Sequence, residues 1–544
     1  MPNLIKQLSS SYLSKFINND EFETIIKSFQ KIAENGLMVD NLKDNEIISI
    51  YFQSAIPDDF FCYKKKLTDL LLSIPEITQE KVKRDLHLSR IQDLQWNNEV
   101  SSYFVNEFEL DSKFLYNDII EDIHSENLGI SMFDKSSIKF KKLKYYQAEV
   151  SYQIFEYLNN TAYSRAILQM PTGSGKTRTA IEIVCDFINE NKGDVIWLAN
   201  TEELCNQAFE AFNEIWGFIG NKELISVNHQ QYNSNFNVDE QAFHVCSIQS
   251  LNNSNNYSKY GIDINKIDLV VIDEAHISIA PTYKNTISNL ISNGAKLLGL
   301  TATPGRQLKY VNIGLEEEVS DENKELSNFF YNKLFQINTK SQKPIDYLRA
   351  QGILSNARFI SLEGKNIENV LKKNQIEAAE VTKTIPKIIE KMLSSDAERN
   401  SMIFEQLVEL LEKQKKIIFF GTSVSHSKMM STLLNIKGFK SAHIDGNSGT
   451  YRKNIINSFR NNELQILCNY GVLSTGFDDP AIDVVFMTRP TNSIVLYSQI
   501  IGRGLRGPAV GGTKSCDIYT VIDNISDLPA NNEIYDYFSE YFIN

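Results

Sequence analysis

Paired cysteines are missing from this chain. Its six, Cys62, Cys185, Cys205, Cys246, Cys468 and Cys516, stand far apart, so neither a zinc ribbon nor a disulfide framework can be read, and a reducing cytoplasm is the expected setting. Long apolar runs are missing too. Stretches such as 269–272 fall well short of the roughly 20 residues that cross a bilayer, and no basic start precedes an apolar segment at the N-terminus. Neither secretion nor membrane insertion is expected. Positive charge is also in short supply: 55 Lys and Arg stand against 68 Asp and Glu, a formal net charge of -13. That balance argues against a polyanion binder unless the acid is segregated. It is: residues 1–137 hold 14 basic and 23 acidic side chains, leaving 41 against 45 for residues 138–544. Binding to phosphates depends on the few cations that reach them, so a nearly neutral remainder can still carry a basic groove.

What is present is enough chain for several packed units, 544 residues with 42% hydrophobic side chains. Residues 1–137 have helical periodicity. Phe22, Ile25, Ile26, Phe29 and Ile32 recur at helix spacing, preceded by Asp20 with Glu23 three positions on and closed by Gly36. No catalytic signature occurs there, and a helical accessory domain packed on the rest is the expectation. From about residue 140 short apolar strands alternate with helical stretches. The strands are expected at 166–170, 195–198, 244–247, 269–272 and 297–300, then again at 417–420, 441–444, 466–469, 484–487 and 518–522. Two parallel sheets covered by helices, in two similar α/β lobes, follow from this alternation. Residues 306–400 are less regular and read as a connector. The domain bounds expected are 1–137, 138–340 and 341–544.

The clearest chemistry lies at residues 170–177, Met-Pro-Thr-Gly-Ser-Gly-Lys-Thr, between a strand and a helix. In such a P-loop, Thr172, Gly173, Ser174 and Gly175 supply backbone N–H groups to phosphate oxygens. Lys176 neutralises the β and γ charge, and the Thr177 hydroxyl can ligate magnesium. An ordinary glycine turn would not need Lys-Thr at the helix start. A hundred residues on, Asp273-Glu274-Ala275-His276 follows an apolar run, which places two carboxylates at the C-terminal edge of a sheet, where ligands bind. Asp273 is suited to hold Mg2+, and Glu274 to polarise the attacking water. A surface acidic pair at a helix start is the plain alternative, and the P-loop weighs against it. No second histidine at ligand spacing accompanies His276. Near residue 500, Gln499-Ile-Ile-Gly502-Arg503-Gly-Leu-Arg506 puts two arginines three residues apart, able to meet a γ-phosphate from an opposing lobe. His426-Ser-Lys428 begins a phospholipase-type nuclease pattern, but Leu433 stands where its aspartate is required.

With these residues in this order, the chain resembles a superfamily 2 helicase of the DEAH-box type over residues 143 to about 525, nearest the restriction-enzyme and DNA-repair branch. The resemblance implies two tandem RecA-like domains and ATP with Mg2+ as cofactors. It implies an adenine contact at Gln147 within Leu143-Lys-Tyr-Tyr146-Gln147, and ATP contacts at Gly476 and Asp478. It also implies nucleic-acid contacts at Thr201, Gln249, Ser250, Thr422 and Thr475, coupling of hydrolysis to lobe movement through Thr301-Ala302-Thr303, and a hydrogen bond of His276 across the lobes. Lys176, Glu274, Arg503 and Arg506 are the implied catalytic residues. Each smaller segment has a plain alternative: Thr201 can cap a helix, Gln249 can sit in a polar loop, and Gly476 can be a turn residue. Met170 departs from the strict P-loop pattern, which has glycine there, in the manner of this superfamily.

The expected function is ATP-driven movement on nucleic acid, DNA favoured over RNA because the last motif begins with glutamine. Two alternatives stay open. One is a translocating subunit whose output lies in a partner of a restriction or phage-defence complex, docked at the acidic N-terminal domain. The other is a nucleic-acid-binding scaffold latched by ATP. No membrane association is expected.

Overall fold

The structure is a computed structural model. It describes the chain apart from residues 1–3, 39–41, 57, 111–113, 117–128, 131–139, 161–163, 229–239, 255–256, 303–320, 341, 383–384, 447, 449–450, 474–476, 478, 492–493 and 528–544. Two sheets organise it. The first has eight strands: β1 (Gly129–Ile130), β2 (Arg165–Gln169), β3 (Asp194–Ala199), β4 (Leu224–Asn228), β5 (Ala242–Ser247), β6 (Ile267–Asp273), β7 (Lys296–Thr301) and β8 (Leu334–Gln336). Their order is β1-β4-β5-β3-β6-β7-β2-β8. All neighbours are parallel except β1 on β4. The second has six: β9 (Asn356–Ile367), β10 (Ile417–Phe420), β11 (Ser441–Ile444), β12 (Ile466–Asn469), β13 (Val484–Met487) and β14 (Ser515–Ile525), in the order β11-β12-β10-β13-β14-β9. Every pair there is parallel.

The expected two-lobed α/β class is what the chain forms. Central strands such as β6, Ile-Asp-Leu-Val-Val-Ile-Asp, are buried along almost their whole length, as continuous apolar strands must be when helices cover both sheet faces. The periodicity misses β1, β4, β8 and β9. β9 is the edge of its sheet, and along its length burial alternates between half-buried and exposed, so its polar residues hide it from an apolar-run criterion. Residues 306–400, expected to be irregular, hold β8, β9 and the helices Asp321–Phe329, Pro344–Ala350, Lys373–Thr382 and Lys387–Ser395 among their described residues.

The N-terminal region is helical up to Phe108, and its helix Asn19–Glu34 is capped by Asn18, whose side chain accepts from the Glu21 N–H. The cap is therefore two residues earlier than the Asp20 expected from the spacing. Gly36 does sit just beyond the end, with φ +73°, where only glycine is at ease. This region packs on the second lobe, although the first follows it in the chain. Ile25, Phe29, Ile32, Phe52 and Phe104 share one apolar cluster with Ile403, Phe404, Leu407, Met430 and Leu433 of the second lobe. Burying each such side chain contributes about 1.5–3 kcal/mol. Polar contacts fix the docking: Asn35 Nδ2 donates to Ser401 Oγ at 2.8 Å, Asn400 Nδ2 to Ser28 Oγ at 3.0 Å, and Lys391 pairs with Asp20 at 2.6 Å.

Inside the second lobe, Arg399 and Asp523 form a fully buried pair, with Nη2 2.8 Å from the carboxylate. Arg399 also donates to Thr422 Oγ1 and to the Thr488 carbonyl. No helix among the described residues is long and apolar enough to cross a membrane.

Candidate active site

The P-loop leaves β2 at Gln169 and turns into the helix Lys176–Glu190. Gly173 and Gly175 both have left-handed backbone, φ +88° and +87°, so a side chain at either would strain the turn. The space around them is also taken. A Cβ on Gly175 would strike Gln147 Nε2, and one on Gly173 would strike Arg506 Nη1 and Leu354. Ser174 turns inward, its hydroxyl donating to the Pro171 carbonyl at 2.7 Å. Tyr146 donates its phenol to the Ser174 carbonyl at 2.8 Å, and Gln147 donates to the same oxygen at 3.2 Å while accepting from Lys144 N–H. Gln147 thus stands at the loop, held from two sides. Thr172 is half-buried and meets Gly502 of the second lobe.

β6 delivers the two carboxylates. Lys176 Nζ lies 3.2 Å from Asp273 and 3.4 Å from Glu274, with only 13% of the lysine side chain exposed. Glu274 has left-handed backbone, φ +57° and ψ +62°, a costly state for a residue with a Cβ and one that clusters at functional sites. Its N–H donates to Asp273 Oδ1 at 3.0 Å, which steadies the turn. Burial pushes the Glu274 carboxyl up, but Lys176, His276 and a hydrogen bond from Gln499 outweigh it, leaving the group below its ordinary range. Burial also raises Asp273, Lys176 offsets only part of that, and the neighbouring Glu274 charge adds to it, so Asp273 ends above its ordinary range. The paired environments push the two apart, which is how one site obtains distinct roles from adjacent acids. Lys176 stays charged: burial lowers it, and the two carboxylates more than compensate.

His276 stands beside Glu274, Nδ1 to Oε2 3.4 Å. Gln499, on the helix Ile494–Ile501 of the second lobe, hydrogen-bonds Glu274. Gln499 and Tyr146 stand inside motifs quoted from the sequence that assign them no site contact, and both touch the site. The two arginines divide. Arg506 lies against Gly173 of the P-loop, donating to the Gly502 carbonyl at 3.2 Å. Arg503 is buried and donates to the Phe477 carbonyl. The segment between the lobes braces this corner: Gly507 N–H donates to Ile353 O, and Ser355 Oγ donates to the Arg506 carbonyl at 2.5 Å.

The residues present fit a nucleotide triphosphate with a hard cation. Glycine backbone that a Cβ would fill, a buried ammonium, and the oxygen donors Thr177 and Asp273 form the set a magnesium nucleotide takes.

The other expected contacts lie at the C-terminal ends of strands. Thr201 caps the helix Glu202–Ile219, accepting from Leu204 N–H at 3.3 Å. Gln249 is exposed and Ser250 half-buried on the helix Ile248–Ser254 that follows β5. The Thr422 side chain is fully buried, its hydroxyl donating to the Thr488 carbonyl at 3.0 Å. Thr301 ends β7 and is buried. Thr303, Thr475, Gly476 and Asp478 lie outside the described residues.

Residues 140–306 match the family described as type III restriction enzyme, res subunit, and residues 402–507 match the helicase conserved C-terminal domain. A Saccharomyces cerevisiae protein provisionally named ATP-dependent helicase IRC3 is 24% identical over 62% of this chain and 46% of its own length. A filamentous virus of Sulfolobus islandicus encodes a protein provisionally named helicase 22, 22% identical over 93% of this chain and 86% of that one. The Escherichia coli type I restriction enzyme EcoKI endonuclease subunit is 24% identical over 71% of this chain, which spans 35% of that subunit. The chain therefore spans less than half of the yeast protein and of the E. coli subunit.

Proposed function

Because the chain belongs to the superfamily 2 helicases, related to their restriction-enzyme branch, we propose that it hydrolyses ATP between its two lobes to drive movement along DNA. One observation carries this reading: the site is built from both lobes. Glu274 and Lys176 come from the first lobe, while Gln499 reaches Glu274 and Arg506 reaches Gly173 from the second.

In this reading Lys176 and the loop amides of residues 172–175 hold the phosphates, and Thr177 and Asp273 hold Mg2+, which supplies charge neutralisation at the transferred phosphoryl group. Glu274 takes the proton of the attacking water, and Arg503 and Arg506 stabilise charge in the transition state. Gln147 reads the adenine, with Gly476 and Asp478 completing the nucleotide contacts. Loss of the γ-phosphate removes the ligand that both lobes share, so the lobes part. Thr201, Gln249, Ser250, Thr422 and Thr475 track the nucleic-acid backbone. Thr422 itself is fully buried, its hydroxyl bonded to the Thr488 carbonyl and its N–H to His426 Nδ1, so its part in that contact is to hold the loop after β10. Backbone contacts position without reading sequence, so little base preference is expected. DNA is favoured by the glutamine that begins the last motif. The domains divide near residues 137 and 340, and the protein works in a reducing cytoplasm.

A second reading, a translocating subunit of a restriction or phage-defence complex, draws support from the accessory domain. One face of that domain is fused to the second lobe, and its acidic remainder suits a partner. Phosphate release with no nucleic acid, single-stranded DNA, duplex DNA or RNA, beside Lys176→Ala, tests both. Stimulation by DNA that the variant abolishes is expected. No stimulation by any polymer rules out the chain as a motor on its own.

A further inference from the structure

The N-terminal domain is acidic, yet its cations are unevenly placed. Lys6, Lys27, Lys31, Lys81 and Lys83 each have a carboxylate partner. Lys15, Lys64, Lys65 and Lys66 are exposed and have no ion-pair partner among the described residues. Three of these four occupy the first turn of the helix Lys64–Leu71, which has no acidic residue there and no side-chain cap. Cations at a helix start oppose the helix dipole, so helix stability does not account for them.

Aromatic rings lie among these lysines. Tyr63 is 52% exposed and Phe16 47% exposed. Lys66 Nζ stands 4.1 Å from the Tyr63 ring centroid and 5.4 Å from that of Phe60, and Phe16 meets Phe60 edge to face at 5.9 Å. Lys66 and Phe16 therefore share Phe60 as a floor, with Lys15 adjoining through Tyr12.

Resting on the reading that this chain binds nucleic acid, we propose that Lys15, Phe16, Tyr63, Lys64, Lys65 and Lys66 form an auxiliary surface for single-stranded nucleic acid. Phosphates meet the unpaired ammonium groups and bases stack on the exposed rings. An anionic polymer with planar bases satisfies both halves of the patch, which is how sequence-tolerant single-strand sites are built. An acidic protein segment would use the lysines and leave the rings idle. The domain is fused to the second lobe, so a strand held here is carried with that lobe.

The test uses the full chain and a fluorescein-labelled 20-nucleotide single strand, with anisotropy followed across a salt series. The variants are K64Q/K65Q/K66Q, Tyr63→Ala, and Lys27→Gln as a paired lysine of the same domain. The triple variant should bind on the order of tenfold more weakly at low salt, and its slope of log K against log salt should flatten by about 2, at ~0.7 per lost phosphate contact. Tyr63→Ala should lose roughly fivefold or more through stacking. Lys27→Gln, and hydrolysis without nucleic acid in every variant, should match wild type. A triple variant with wild-type affinity and slope overturns the proposal, as does an equal loss in Lys27→Gln or a loss confined to duplex. Failure of wild type to bind any nucleic acid overturns the functional reading as well, which separates the two failures.

Discussion

The guanidinium of Arg506 from the second lobe fills the space beside Gly173 of the first, where a side-chain carbon on that glycine would strike Nη1. Gly173→Ala should therefore oppose lobe closure twice, by left-handed strain and by displacing the arginine. We expect kcat to fall by about 100-fold, the scale of an ångström-level misplacement of catalytic groups, with thermal stability little changed. Steady-state phosphate release beside a melting curve checks this. Unaltered turnover would mean that Arg506 does not act from this position.

Arg506 and Arg503 should separate in their effects. Arg506→Ala removes the group beside the phosphates, and a loss of roughly 10³-fold in kcat with little change in the KM for ATP is expected of such a guanidinium. Arg503 is buried and bonded to the Phe477 carbonyl. Its removal should lower turnover less and melting temperature more. Equal kinetic losses with equal stability would contradict the division.

Glu274→Gln should abolish hydrolysis and keep ATP binding, measured by nucleotide fluorescence. The folded-state pKa of Glu274 lies below its ordinary 4.5, so its ionised form stabilises the fold. That contribution is complete above about pH 4.5 and is lost as pH falls through the lower folded value. Melting temperatures of wild type and Glu274→Gln, compared from pH 7 downward, should keep a constant gap until near pH 4.5 and then converge. A gap that widens toward acid would reverse the assignment.

Much of this site was legible because its residue types have few other uses in that order. A glycine-rich turn ending in Lys176-Thr177 and a strand ending in Asp273-Glu274 name their chemistry, and β10 to β13 fall at the expected residues because buried parallel strands are continuous apolar runs. Gln499 bonding Glu274, the bracing of Arg506 by Ser355, and the inward turn of the Thr422 hydroxyl were not legible. They depend on how two separate sheets face each other, and no local spacing encodes that. The docking of the N-terminal helices on the second lobe was hidden for the same reason. Amphipathic periodicity says that Phe29 is buried and not which surface buries it.

That docking predicts the behaviour of a truncation. Removing residues 1–137 uncovers Ile403, Phe404, Leu407, Met430 and Leu433, so the remainder should aggregate. Phe29→Ala in the full chain should cost about 3–5 kcal/mol and lower the melting transition of the second lobe along with its own domain. Two transitions by calorimetry, only one of them shifted, would show that the shared core is not cooperative.

Arg399 and Asp523 make a fully buried pair, and Asp523→Asn leaves the guanidinium without a counter-charge. A loss of about 3–5 kcal/mol is expected, read from denaturant midpoints. A loss below about 1 kcal/mol, the scale of an exposed pair, would show that the remaining acceptors of Arg399 suffice.

The union of the first helices with the second lobe also has a consequence during synthesis. Asn35 and Ser28 leave the ribosome long before the side chains they bond, which lie 366 and 372 positions downstream. At roughly 5–20 residues per second, the apolar face of the N-terminal helices waits on the order of tens of seconds for the surface that will cover it. The whole first lobe is made in between. The later-made lobe completes the core of the earlier-made helices, so the nascent chain exposes that face until the second lobe emerges. Holding chaperones would act on it there, before the second lobe emerges.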